Sequence, residues 1–261
     1  MRFGSTLLSD ALLCLRFATR LPVPGIEDQS FATFPRAIRM LPLAGAMVGA
    51  LAGGVLGLAS FIGFPPQIAA PLAIAVLILS TGALHEDGLA DCADGFGGGA
   101  TCERKLEIMK DSRIGAFGAL ALALTLYLRA ASIASILDQS LGLACAVLIG
   151  AAAVSRAAAL IPLVWLPPAR KEGAGFSAGR PAPGAAIAAA CLGTLFALAP
   201  ALAGASSPRL LIGIGAAAGA GFGASLLAKR QIGGQTGDVA GAAQQISEVL
   251  FYLVFAANRL A

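Results

Sequence analysis

Residues 40–84 read MLPLAGAMVGALAGGVLGLASFIGFPPQIAAPLAIAVLILSTGAL and contain no charged side chain. Because about twenty apolar residues cross the hydrocarbon core of a bilayer, this stretch has room for two spanning helices. The turn sequence GFPPQ at 63–67 separates them, since glycine and proline interrupt helices. This stretch therefore predicts a protein that is built into a membrane.

Composition extends that prediction to the whole chain of 261 residues. The chain is 57% hydrophobic and 12% charged, with a mean hydropathy of +0.83, whereas soluble domains are about 25% charged. Further helices are expected at about 114–137, 141–166, 184–204, 210–228 and 244–260. We predict an all-α, polytopic integral membrane protein with about six or seven transmembrane helices, forming one membrane-embedded domain over residues 1–261. Five cysteines lack metal-binding spacing and are expected to be free thiols.

The basic residues orient the chain, because lysine and arginine concentrate on the cytoplasmic side of membrane proteins. With the N-terminus in the cytoplasm, fourteen of the eighteen lie in cytoplasmic segments. Arg129 and Arg156 fall inside predicted spans, and only Arg209 and Arg259 lie on the far side. Residues 1–40 are expected to form an interfacial segment rather than a cleaved signal. The long polar loops then all face the cytoplasm.

Half of the acidic residues lie in one short polar segment. Residues 85–118 read HEDGLADCADGFGGGATCERKLEIMKDSRIGAFG and hold seven of the fourteen. We predict that 85–113 forms an acidic loop at the cytoplasmic face. The spacing of Asp87, Asp91 and Asp94 places their carboxylates on one side of a helix. Such oxygen ligands suit Mg²⁺, although a solvated acidic helix end is the alternative.

His85 and Glu86 adjoin these aspartates in the sequence. His85 is the single histidine of the chain. It could act as a base or as a donor to phosphate, but a structural role is as compatible with the sequence. Glu86 points about 100° away from Asp87 on a helix, so we expect it to face solvent or lipid headgroups.

Cations follow the acidic segment and could hold a phosphorylated substrate. Lys110 and Arg113 flank Asp111, and this mixture suits a metal-bound anion, although it also fits the usual basic flank of a spanning helix. Arg156 lies mid-span, where a charge costs about 3 kcal/mol or more and marks a function or a buried partner. Arg129 could instead snorkel toward the interface.

A second loop is predicted at residues 229–243, where GGQTGD occupies 233–238. Its glycines could present backbone N–H groups to a phosphate, and Asp238 adds a carboxylate. We therefore include Gly233, Gly234, Thr236 and Asp238 among the candidate substrate-binding residues. The acids and cations together favour Mg²⁺-assisted phosphoryl transfer from a diphosphate.

The motifs HEDGLADCADG at 85–95 and LEIMKDSRIGAFG at 106–118 resemble those of the cobalamin synthase family. RFATRLPVP at 16–24, PLAGAMVG at 42–49, AVSR at 153–156 and GGQTGD at 233–238 add to the resemblance in the expected order. One departure is Glu86, where the family more often has an apolar residue.

This resemblance implies a Mg²⁺-dependent enzyme of the bacterial inner membrane. It would join adenosylcobinamide-GDP to α-ribazole, or to α-ribazole 5′-phosphate, and release GMP. The implied metal ligands are Asp87, Asp91 and Asp94. Lys110, Asp111, Arg113, Arg156 and Asp238 would line the diphosphate and nucleotide site. We take His85, Asp91, Asp94 and Asp111 as the candidate catalytic residues, and we expect a lipid bilayer but no nucleic acid as a partner.

Two other functions are compatible with parts of the sequence. CDP-alcohol phosphotransferases also cluster aspartates near a membrane face and displace a nucleoside monophosphate, but their motif has a different order. A cation transporter would use the acids as an ion path. Transporters place such groups near the middle of the membrane, whereas these acids lie at one face.

Overall fold

A computed structural model describes residues 3–23, 33–172 and 179–257, with side chains from residue 7 onward. This part of the chain is all-α, which confirms the predicted fold class. Its α-helices are α1 Phe3–Ala18, α2 Phe34–Ala37, α3 Leu41–Ile62, α4 Pro66–Thr81, α5 Leu84–Gly98, α6 Cys102–Ile108, α7 Ala116–Gln139, α8 Leu141–Ala158, α9 Leu160–Trp165, α10 Pro183–Ala197, α11 Ser207–Ile232 and α12 Gly237–Ala256. Short 3₁₀ helices cover Ile38–Met40 and Ala199–Ala203.

Six helical segments of this part of the chain are long and apolar enough to cross a membrane, and a bent pair makes up to seven. The six are Phe34–Ile62, Ala116–Gln139, Leu141–Trp165, Pro183–Ala203, Ser207–Ile232 and Gly237–Ala256. The bent pair is α4 and α5, which meet at 89°. The predicted polytopic architecture of six or seven spans is therefore confirmed. All five cysteines are free, as expected.

Both predicted polar loops contain more helix than the sequence indicated. Residues 85–113 hold α5 and α6, and within 229–243 only the short connection at 233–236 is not helical. Gly233 ends α11 with a left-handed φ of 69°, and the side chain of Thr236 caps α12 by accepting the Val239 N–H at 3.3 Å. Because this cap starts the helix early, α12 begins at Gly237 and not near 244. Arg2 and Arg259 lie outside the described residues.

The span of α8 and α9 is the centre of the bundle, and its most apolar window is 78% buried. Small residues let α3 approach it closely. A Cβ atom at Gly45 would lie 2.2 Å from the carbonyl oxygen of Ala152, and one at Gly49 would lie 2.6 Å from that of Leu148. Gly45 and Gly49 therefore serve the close packing of α3 against α8.

The bend between α4 and α5 sets the direction of the acidic helix. Gly82 and Ala83 both adopt left-handed φ angles, 64° and 60°. The backbone N–H of Arg20 donates to the Ser80 carbonyl at 2.7 Å, and a Cβ atom at Gly82 would lie 2.0 Å from the Arg20 Nε atom. The segment after α1 therefore packs directly on the bend.

A buried ion network joins α5 to two spans. Arg129 of α7 donates to Glu86 of α5 at 2.7 Å and pairs with Glu248 of α12 at 2.8 Å. Gln245 contacts both Arg129 and Glu86, at 3.2 and 3.1 Å. Arg129 is only 1% exposed and Glu86 only 6%. The expectations for these two residues were wrong: Glu86 does not face solvent and Arg129 does not snorkel, because each provides the other's buried counter-charge.

We expect Arg129→Met to lower the free energy of unfolding by about 3–5 kcal/mol, because it leaves two carboxylates buried without their positively charged partner. Equilibrium unfolding in mixed micelles measures this loss. Arg104→Met is the matched control, since Arg104 forms an exposed pair with Glu107 at 2.9 Å and exposed pairs contribute little. Equal unfolding midpoints for the two variants would contradict the stabilising role of the network.

Candidate active site

The predicted acidic and basic residues meet around one polar cavity. Asp87, Asp91 and Asp94 of α5 line a space of about 410 Å³. Lys110, Asp111 and Arg113, from the connection between α6 and α7, line the same space. Asp87 is exposed, Asp91 is half-buried and Asp94 is buried. The structure therefore brings together six of the residues that the sequence singled out.

Asp94 has a structural task that sequence reasoning missed. Its carboxylate accepts the backbone N–H of Gly115 at 2.7 Å and that of Gly118 at 2.9 Å. It thus satisfies N–H groups at the start of α7, where a negative charge is also favoured by the helix dipole. A Cβ atom at either glycine would lie 2.4 Å from this carboxylate. The glycines of RIGAFG therefore leave room for Asp94, and its role as a metal ligand stays a prediction.

Asp238 reaches the acidic helix from the start of α12. A Cβ atom at Gly88 of α5 would lie 2.8 Å from the Asp238 carbonyl oxygen, so α5 and α12 cross in close contact. The Asp238 carboxylate accepts a hydrogen bond from Arg170 at 2.9 Å and one from the Thr236 hydroxyl at 3.1 Å. Arg170 was not among the candidate site residues predicted from the sequence, because it lies 68 residues from Asp238 along the chain.

Asp91 is surrounded by other negatively charged side chains. The carboxylates of Asp87, Asp238 and Asp94 all repel it, and Arg170 compensates only in part. Mutual repulsion of this kind is relieved when a cation binds between the carboxylates. The cluster is therefore arranged to favour a bound positive charge.

The GGQTGD segment is held by its own backbone contacts. Gln235 and Ala169 pair through backbone hydrogen bonds, with the Ala169 N–H donating to Gln235 at 2.8 Å and the Gln235 N–H donating to Pro167 at 2.8 Å. A Cβ atom at Gly234 would lie 2.5 Å from the Pro167 carbonyl oxygen. Gly233, Gly234 and Thr236 thus have clear structural roles in placing Asp238, and their binding to phosphate stays a prediction.

The connection between α6 and α7 presents paired charges. The Arg113 side chain donates to Asp111 at 2.6 and 3.0 Å. These hydrogen bonds lower the pKa of the Asp111 carboxyl to about 2. Asp111 is therefore ionised at any ordinary pH and suits the role of an anchor for Arg113 better than that of a proton donor. Lys110 pairs with the exposed Glu172, which follows α9.

A second cavity of about 250 Å³ lies on the other side of Asp87. Its polar lining residues are His85, Asp87, Arg156 and Asp238. Arg156 is 3% exposed, donates to the Ala152 carbonyl at 2.7 Å and has no partner for its Nε atom. The remaining walls are apolar and include Phe17, Phe34, Ile38, Leu41, Leu160 and Leu163.

Asp87 also lines a third space, of about 450 Å³, with Arg20, Thr81 and Gly82 at the bend between α4 and α5. It is therefore the residue at which the polar cavity, the apolar cavity and the bend meet. His85, two residues earlier, lines the apolar cavity and also the small space around Arg129, and it is partly buried.

The oxygen donors fit Mg²⁺ in one particular way. Among the described residues, no group of three or more His, Cys, Asp or Glu side chains has a metal-binding arrangement. Mg²⁺, however, usually binds to proteins through one or two carboxylates and takes its other ligands from substrate phosphates and water. Asp87 and Asp91, one helical turn apart on the polar cavity, can supply that pair.

We expect Asp94→Ala to lower the free energy of unfolding by about 1–2 kcal/mol, because two N–H groups of α7 lose their acceptor. Asp91→Ala is the matched control on the same helix, since no side-chain hydrogen bond to Asp91 occurs in the described part of the chain. Removing it also relieves repulsion. Thermal unfolding without substrate compares the stability of the two variants. Equal losses of stability in Asp94→Ala and Asp91→Ala would contradict the capping role of Asp94.

Comparisons with known proteins place this site in a family. The model of the cobalamin-5-phosphate synthase family matches residues 10–256. A protein of Azorhizobium caulinodans named adenosylcobinamide-GDP ribazoletransferase is 46% identical over 252 residues, covering 95% of this chain and 96% of its own.

Two further proteins of that name are similarly related. That of Mesorhizobium japonicum is 43% identical, covering 95% of this chain and 93% of its own, and that of Bradyrhizobium diazoefficiens is 43% identical, covering 97% and 95%. No solved structure matches the chain. The family match covers the acidic helix, the polar loop that follows it and the GGQTGD segment, so the chain belongs to the cobalamin-5-phosphate synthase family.

Proposed function

We propose that this chain is an adenosylcobinamide-GDP ribazoletransferase. It joins adenosylcobinamide-GDP to α-ribazole, or to α-ribazole 5′-phosphate, and releases GMP. The names of its relatives support this activity. The observation that carries the proposal is the position of Asp87, where a cavity with acids and cations meets a separate apolar cavity. Two spaces that share a lining residue suit a reaction between two substrates.

We further propose that the site faces the cytoplasm of a bacterial inner membrane. The polar cavity is bordered by the connection between α6 and α7, which holds Lys110 and Arg113, and Arg104 and Lys105 precede it in α6. Positively charged connections of this kind stay on the cytoplasmic side. Both substrates would then reach the site from water.

The polar cavity suits the diphosphate of the donor. Lys110 and Arg113 can exchange their present carboxylate partners, Glu172 and Asp111, for phosphate oxygens, because those partners lie at the protein surface. Asp87 and Asp91 would hold Mg²⁺ against the diphosphate. When bound, Mg²⁺ supplies positive charge that neutralises the phosphates and stabilises the leaving GMP.

The transfer itself exchanges one phosphorus–oxygen bond for another. A ribose hydroxyl oxygen of the acceptor bonds to the phosphorus on the cobinamide side, and the bond from that phosphorus to the GMP oxygen breaks. The hydroxyl proton passes to a base, for which the candidates are Asp87, where the two cavities meet, and His85, which lines the apolar cavity. GMP leaves with the electron pair of the broken bond.

The structure gives no support to the transporter alternative. The charged side chains between α5, α7 and α12 enclose a space of only about 10 Å³. Arg129 is ion-paired with both carboxylates there. A cation path needs acids that are open to water along the membrane normal, whereas Asp87 and Asp91 of α5 line a single polar cavity.

We expect the protein in detergent to convert adenosylcobinamide-GDP and α-ribazole into a cobalamin and one equivalent of GMP when Mg²⁺ is supplied. Chromatography of the nucleotide and corrinoid products measures this. Chelation of Mg²⁺ stops the reaction and its return restores it. Release of CMP from a CDP-alcohol, with no GMP from the corrinoid donor, would contradict the proposal.

Asp91→Asn should lower turnover by roughly 10²–10³-fold, because the amide keeps the shape of the side chain but lacks the negative charge that would bind Mg²⁺. Asp138→Asn is the control, since Asp138 is exposed at the opposite end of α7. GMP release under saturating substrates compares them. Unchanged turnover in Asp91→Asn would contradict the assignment of Asp91 as a ligand of the metal.

A further inference from the structure

We propose that the apolar cavity beside α1 and α9 binds the aromatic base of the acceptor ribazole. This inference rests on the proposed function and assigns its two substrates to separate spaces. The cavity of about 250 Å³ is formed by α1, α2, α3, α5, α8, α9 and α12, so it is built by the fold and is not a single groove between two helices.

The chemistry of its walls suits an uncharged, flat ring system. Phe17 and Phe34 lie with their ring centroids 4.5 Å apart, at 55° to one another, and both line the space. Leu160 and Leu163 of α9 line the same space. Aromatic and aliphatic walls of this kind bind an aromatic base through buried area and ring contacts.

The size of the cavity excludes the other substrate. Pockets that enclose drug-sized ligands measure about 300–1,000 Å³, and this one is smaller, with about 250 Å³. A corrinoid with a guanosine diphosphate is far larger than such a ligand and carries at least two negative charges. The polar cavity, with Lys110 and Arg113, is the only one of the two that offers exposed cations for those charges.

The distribution of polar groups also fixes the direction of the acceptor. His85, Asp87 and Asp238 lie at the end of the cavity that borders the acidic helix. With the base against Phe17 and Leu163, the ribose is directed toward these residues. Its hydroxyl groups then lie at the junction with the polar cavity, where the donor phosphorus is expected.

The test uses a substitution that narrows the cavity, Leu163→Phe, and measures the affinity of the protein for the acceptor. We expect Leu163→Phe to raise both the acceptor KM and the Kd of α-ribazole, measured by equilibrium dialysis without donor, at least ten-fold. The KM for adenosylcobinamide-GDP should change less than three-fold. The matched variant in the polar cavity, Lys110→Gln, should show the reverse pattern.

A comparison of two acceptors on the same variant distinguishes a narrowed cavity from partial misfolding. The ribazole base is a benzimidazole with two methyl groups, so α-ribazole and its analogue without the methyl groups differ only in the volume of the base. Leu163→Phe should weaken binding of the larger acceptor at least five-fold more than that of the smaller one. This ratio does not depend on the fraction of folded protein. Phe17→Ala, at a partly exposed position, should weaken both acceptors about equally.

The outcomes separate the two proposals. If the unaltered protein releases no GMP from donor and acceptor, the proposed function itself is wrong. If it turns over normally but Leu163→Phe and Phe17→Ala leave acceptor affinity and the ratio unchanged, the acceptor binds elsewhere and only this inference fails.

Discussion

The ion pair network of Arg129 is the interaction on which the site depends. It joins Glu86 of the acidic helix to Glu248 of the last helix, inside the apolar part of the protein. An unpaired charge there would cost several kcal/mol, so the three side chains require one another. Because Glu86 belongs to the same helix as Asp87 and Asp91, this requirement fixes the rotation of α5 and points those two carboxylates at the cavities.

Each acid of α5 consequently has a different task, set by its direction. Glu86 faces inward and pairs with Arg129. Asp94 caps α7, and its hydrogen bonds to Gly115 and Gly118 anchor the C-terminal half of α5 against the start of α7. Asp87 and Asp91 remain for chemistry, and Asp238 of α12 is brought beside them through the close contact at Gly88. The stability of the helix and the reactivity of the site are therefore provided by neighbouring residues of one motif.

The sequence predicted the architecture well because hydropathy reports the spans directly, as the uncharged run at 40–84 shows. It also grouped Asp87, Asp91, Lys110 and Arg113 correctly, since these residues lie within one short segment. It could not place Glu86 or Asp94, because their partners Arg129 and Gly118 depend on how α7 packs. The apolar cavity was missed for the same reason: Phe17 and Leu163 look like ordinary core residues until α1 and α9 meet.

The most direct test is whether a divalent cation binds jointly to α5 and to the donor. Electron paramagnetic resonance of Mn²⁺, used in place of Mg²⁺, reports bound metal in the detergent-solubilised protein. We expect tight Mn²⁺ binding only when adenosylcobinamide-GDP is present, and its loss in Asp87→Asn/Asp91→Asn. Equal Mn²⁺ binding by the unaltered protein and this double variant would contradict a metal site on the acidic helix.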